Sequence, residues 1–216
     1  MLKFRLFGFP VFIHWTFWLV AALISGNLDV NDHEGMQRLL GWMVVVLVSI
    51  LIHEFGHAFM MRHYGDSRVI VTLHSFGGFA AGSRRLSRMQ DIYVSAAGPF
   101  VQVTAGVMMW WLIDFWVPQS RLAQGMMKSF MWVSIVWALL NLLPIVPLDG
   151  GRISLALFGP RRERAAIILS MVCIGVMAVI AFREGYIYSL FILAMLAFSN
   201  FKRLKGEQDD PWMGTR

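Results

Sequence analysis

The stretch "SILIHEFGHAFMMRHYG", residues 49–65, sets two histidines and a glutamate inside an otherwise apolar run. Taking an ionisable group out of water is costly unless something compensates it, so the stretch calls for a partner. His53 and His57 stand at i and i+4. On a helix their imidazoles project from one face, about 40° apart. Glu54 falls about 60° beyond His57, beside the pair and not between its members. This is H-E-x-x-H: two metal-binding histidines and a general base. With six histidines and five glutamates in 216 residues, chance supplies the pattern only about 0.004 times. A divalent metal is the expected partner.

The surroundings of the motif decide the fold class. The chain is 57% hydrophobic and only 15% charged, and its charges cluster between long apolar runs. Such runs lie at 6–28, 39–61, 92–113, 129–148, 165–182 and 185–201. Each approaches the roughly 20 residues that a helix needs to cross a bilayer. The sequence therefore predicts an all-α polytopic membrane protein of about six transmembrane helices. The first run follows Lys3 and Arg5, as a signal peptide would, but it exceeds the usual apolar core of about 7–15 residues and is expected to be retained. Cys173, the single cysteine, is expected to act as a small packing residue.

The net charge of +6 reports orientation before it reports a ligand. With the N-terminus in the cytoplasm, fifteen of the nineteen lysines and arginines fall inside, leaving Arg38, Arg121, Lys128 and Arg183 outside. Both termini are then cytoplasmic in a multi-pass protein of the cell membrane, and the basic balance needs no nucleic acid. Trp110, Trp111 and Trp116 cluster where the third run should leave the bilayer. One domain is expected over residues 1–205, with its core at about 38–155, and a short flexible cytoplasmic tail at 206–216.

One cytoplasmic connection reads differently. In "DSRVIVTLHSFGGFAAGSRRLSRMQ", residues 66–90, Val69, Val71 and Leu73 alternate, and Gly77-Gly78 permits a turn. This predicts a small β-hairpin at the membrane. Its backbone must line protein or water, because unpaired peptide groups cannot face lipid. Residues 69–73 have the β-branched composition of an exposed strand edge that could hold an unwound substrate by β-augmentation.

A catalytic zinc takes three protein ligands and keeps a place for water. No further histidine follows at the right spacing, since His63 falls on the far side of the helix. "NLLPIVPLDGGR", residues 141–152, offers the better donor. Its prolines bend the chain, and Gly150-Gly151 is expected to allow a sharp turn that aims Asp149 inward. The second and fourth runs cross in the same sense, so His53, His57 and Asp149 share the cytoplasmic half of the bilayer. Asp114 lies at the wrong end of its run, and Asp66 and Asp91 sit at loop edges.

These residues resemble the site-2 protease family of zinc intramembrane metalloproteases. HEFGH at 53–57 matches the family's H-E-x-x-H, and Asn141, Pro144, Asp149 and Gly150 match its N-x-x-P-x-x-x-x-D-G. "SAAGPF" at 95–100 resembles the start of its third core helix, Gly77-Gly78 the glycine pair of its membrane-associated β-loop, and "GFPVFIHWTFW" a first span of bacterial members. The resemblance implies one Zn2+ held by His53, His57 and Asp149, Glu54 as catalytic base, and Asn141 as a polar contact to substrate backbone or oxyanion. Many relatives carry PDZ or CBS domains, and this sequence is expected to hold neither.

The expected function is zinc-dependent cleavage of transmembrane segments of membrane-protein substrates, releasing a cytoplasmic fragment. Val69, Val71, Leu73, Gly77 and Gly78 would hold the substrate. Its partners are that substrate and the lipid bilayer, with a homo-oligomer left open. Two alternatives remain: a zinc transporter or metal-binding membrane protein using the same donors, and an inactive relative, against which the intact Glu54 argues.

Overall fold

The computed structural model describes residues 1–25, 32–75 and 77–207. They form two compact units, residues 1–140 and 141–216. The first holds strands β1 (Leu2–Leu6) and β2 (Phe9–Ile13), helices α1 (Trp15–Ile24) and α2 (His33–His63), strands β3 (Ile70–His74) and β4 (Gly77–Ala81), and helices α3 (Arg88–Phe115) and α4 (Arg121–Asn141). The second holds α5 (Asp149–Phe158), a 3-10 turn (Pro160–Arg162), α6 (Glu163–Arg183) and α7 (Ile187–Lys205).

The fold is mostly helical but not all-α. The expected hairpin is half of a four-stranded sheet in the order β1-β2-β3-β4. Its other half comes from the N-terminus, where the sequence predicts a first transmembrane helix. Phe7 (φ 52°) and Gly8 (φ 80°) both take left-handed conformations, the backbone of a two-residue hairpin turn. Val11 and Ile13 are β-branched, and Phe9, Val11 and Ile13 point alternately into the core. Pro10 precedes the ladder with β3, which begins at Val11. Helix starts only at Trp15, after the His14 cap, and α1 is ten residues long. An uninterrupted apolar run suits a buried strand as well as a helix, and here the turn decides.

Among the described residues, three helical segments are long and apolar enough to cross a membrane: α2, α3 and Pro160–Arg183. Helices α4 and α7 fall outside that set, so the six expected spans reduce to three on this measure. The predicted flexible tail lies outside the described residues from 208 onward.

Helix α2 is the axis of the first unit. Its 31 residues are capped by Asp32, whose side chain accepts from Gly35 N–H at 2.6 Å. At 1.5 Å per residue it reaches about 46 Å, more than the hydrocarbon needs. Helix α3 begins with a reciprocal cap between Ser87 and Gln90. The two helices touch backbone to backbone: a β-carbon on Gly56 would lie 2.6 Å from Ala97 O. Small residues permit this approach in membranes, where dispersion and not water drives helix packing. On the other side of α2, side chains of β2 and β3 (Phe9, Val11, Ile13, Val71, Leu73) bury against Ile50, Phe55 and Ala58. Arg62 pins the N-terminal hairpin to the helix, its guanidinium 3.5 Å above the Phe9 ring and donating to Phe7 O at 3.0 Å.

Candidate metal centre

The H-E-x-x-H motif lies within α2 as its spacing predicts, and His53, Glu54 and His57 are all buried. Each imidazole is oriented through Nδ1. His57 Nδ1 lies 2.7 Å from Val94 O, an acceptor only, so this nitrogen carries the proton. His53 Nδ1 lies 2.8 Å from Gln102 Oε1. The Gln102 amide cannot be reversed, because its Nε2 faces Ser49 O at 3.3 Å and Ser49 Oγ at 2.9 Å. An oxygen there would confront the Ser49 carbonyl. His53 therefore also donates from Nδ1. Ser49 Oγ continues the buried chain to Ser134 Oγ, 2.9 Å away on α4.

Both Nε2 atoms then present lone pairs, and they face each other at 3.0 Å. Two lone pairs at that separation need a cation between them, a shared proton or a metal ion. Gly98 preserves the space, because a β-carbon on it would run into His57 Nε2. Oriented tautomers, facing lone pairs and a clearance beside them fit a zinc ion, which binds neutral imidazole nitrogen.

The sheet reaches the same helix through β4. A β-carbon on Gly78 would lie 2.6 Å from both Cγ and Oε1 of Glu54, so only glycine lets the strand pass this close. Strand β3 is paired in parallel with β2 and antiparallel with β4. The exposed edge expected at residues 69–73 is thus corrected: both edges of β3 are occupied, and Val69, Val71 and Leu73 are core residues. Of the expected substrate-binding residues, only Gly77 and Gly78 lie on an edge strand, β4.

Asp66 is also more than a loop-edge acid. It is buried and accepts from Arg84 N–H at 2.7 Å, Arg68 N–H at 3.0 Å and Ser83 Oγ at 3.2 Å. The entry to β3 and the exit from β4 are thereby tied together. Burial pushes its pKa up, but the hydrogen bonds from Arg84, Arg68 and Ser83 outweigh that and hold it below the ordinary 3.8.

In the second unit, Asn141 ends the α4 helix and Asp149 opens α5, buried in its first turn. A carboxylate there gains from the helix dipole. Gly150 and Gly151 do not make the expected turn. They are helical, and their missing side chains let α5 lie on the preceding segment: a β-carbon on Gly150 would strike Leu142 O, and one on Gly151 would lie 2.5 Å from Ile145 O. Sequence reasoning missed Gln102, Ser49, Ser134 and Gly98. Only the last carried a signal, in the small-residue run at 95–99.

Comparison with known proteins agrees with this chemistry. The sequence profile of peptidase family M50 matches residues 117–182. The zinc metalloprotease MJ0392 of Methanocaldococcus jannaschii is 25% identical over 158 residues, 73% of this chain and 45% of that protein. Stage IV sporulation protein FB of Bacillus subtilis is 28% identical over 154 residues, 68% of this chain and 47% of that one. The chain thus spans less than half the length of these curated relatives. The solved site-2 protease from Methanocaldococcus jannaschii shares the fold with a TM-score of 0.68 at 20% identity, covering 100% of this chain and 99% of that one. With its H-E-x-x-H helix oriented for a metal, the chain is similar to zinc metalloproteases of peptidase family M50 and shares the fold of a site-2 protease.

Proposed function

We propose that this protein is a zinc-dependent intramembrane endopeptidase that cuts transmembrane segments of other membrane proteins and frees a cytoplasmic fragment. The observation that carries the reading is the pair of His53 and His57 Nε2 atoms facing each other at 3.0 Å, with both Nδ1 atoms committed to acceptors. His53, His57 and Asp149 hold the ion: two imidazoles and a carboxylate, all buried. Zinc held there would supply a Lewis acid that lowers the pKa of water towards about 7.

Glu54 does the proton work. Its carboxylate takes a proton from the water that attacks the scissile carbonyl and passes it to the departing amide nitrogen. The Asn141 amide donates to the developing oxyanion, where one such donor is worth about 3–4 kcal/mol. Substrate must arrive unwound, because a helical peptide bond is shielded by its own backbone. The edge of β4 can accept such a strand, with Gly77 and Gly78 admitting its backbone beside Glu54. The apolar helices and the basic balance support a multi-pass protein with both termini in the cytoplasm and one catalytic domain over residues 1–205.

Glu54→Gln keeps the shape and removes the base. Cleavage of a membrane substrate by the purified variant should fall by orders of magnitude while its zinc content stays normal. Normal cleavage at normal zinc content would refute the hydrolase. Zinc flux through liposomes unaffected by the substitution would instead favour transport.

A further inference from the structure

The segment between α4 and α5 is held at one residue by the two C-terminal helices. Val146 N–H donates to Ser170 Oγ of α6 at 2.9 Å, and Val146 C=O accepts from Asn200 Nδ2 of α7 at 2.7 Å. All three residues are buried, with Ser170 at 0% and Asn200 at 1% exposure. Asn200 Nδ2 also donates to Leu196 O at 2.9 Å. Both amide hydrogens therefore go to carbonyl oxygens, and the orientation of the amide is fixed. An irregular segment cannot satisfy its own buried peptide groups, and here α6 supplies the acceptor and α7 the donor.

What this fixes lies three residues on. Leu148 N–H donates to Ile145 O at 2.7 Å, and Asp149 then opens α5. Gly150 and Gly151 press α5 back onto Leu142 and Ile145. From residue 142 to 151 the chain is one packed block, bonded to α6 and α7 at Val146. We infer that Ser170 and Asn200 are positioning residues for the Asp149 carboxylate, and that the C-terminal helix pair acts as the scaffold of the third zinc ligand. The inference rests on the reading of Asp149 as a ligand. It assigns α6 and α7 a part in metal binding although neither supplies a donor.

The test measures zinc affinity of the full-length purified protein in detergent by competition with a chromogenic chelator, with thermal unfolding recorded beside it. Asn200→Ala and Ser170→Ala should each weaken zinc binding about 10–100-fold, the usual cost of losing a group that orients a ligand. Arg203→Ala serves as control. It breaks the 3.0 Å ion pair from α7 to Glu163 at the start of α6. It should lower thermal stability and leave zinc affinity within about twofold. If Asn200→Ala fails to fold, Ser170→Ala, which removes one hydroxyl, still decides. Unchanged zinc affinity in the clamp variants, with affinity lost in Asp149→Ala, would overturn the scaffold and leave the ligand standing. Losses that only track stability, and match those of Arg203→Ala, would also overturn it. Wild-type affinity in Asp149→Ala would remove the ligand reading and this inference with it.

Discussion

Gly78 on β4 passes so close to Glu54 on α2 that a β-carbon would sit 2.6 Å from the carboxylate Oε1. The strand and the proposed base are thereby locked in register. Gly78→Ala should force Glu54 aside, and a displacement near 1 Å at a reacting group costs on the order of 100-fold in rate. Zinc content should be unchanged, because His53 and His57 are oriented by α3 and not by the sheet. Rate and zinc measured on the same preparation check this: normal turnover in Gly78→Ala would contradict it.

Gln102 offers a second test. Gln102→Leu removes the acceptor at His53 Nδ1 and releases the tautomer, so zinc affinity should fall about 10–100-fold. Gln102→Glu keeps an acceptor there and should retain more zinc than the leucine variant. Chelator competition measures the affinities, and nitrogen NMR of histidine-labelled protein reports the His53 tautomer directly. Equal affinities in the two variants would exclude the orienting role.

Asp66 predicts a pH dependence. Its folded pKa lies below the ordinary 3.8, so its contribution to stability is complete above that value and is lost as pH falls through the folded pKa. Thermal unfolding followed from pH 6 to pH 3 should show a steeper acid decline for wild type than for Asp66→Asn. At pH 6 the variant should already be the less stable, having lost the ties to Arg84, Arg68 and Ser83. Parallel curves would refute the assignment.

The open edge of β4 can be mapped with proline, which removes one backbone donor. Single prolines at Phe79, Ala80 and Ala81 should alternate in effect. Where the N–H faces β3, the sheet should unfold. Where it faces outward, cleavage should drop with zinc and stability near normal. Loss of activity only in step with unfolding would argue against substrate docking on this edge.

The metal-binding half of the site was legible because its information is local. His53, Glu54 and His57 follow from a spacing within one helix, and buried charge in an apolar run demands a partner whatever the fold. The alternation at Val69, Val71 and Leu73 likewise marked a strand with one buried face. Non-local pairing decided the rest. Residues 9–13 are as apolar as a transmembrane helix, and the turn that pairs them with β1, together with their parallel ladder with β3 about sixty residues away, makes them a strand. That ladder also closes the edge that residues 69–73 would otherwise expose. Gln102 meets His53 across 49 residues of sequence and Asn200 meets Val146 across 54, separations at which no periodicity carries a signal. Gly150 and Gly151 read equally well as a turn or as a packing surface. Only the tertiary structure, by bringing the Leu142 and Ile145 carbonyls against them, selects the second.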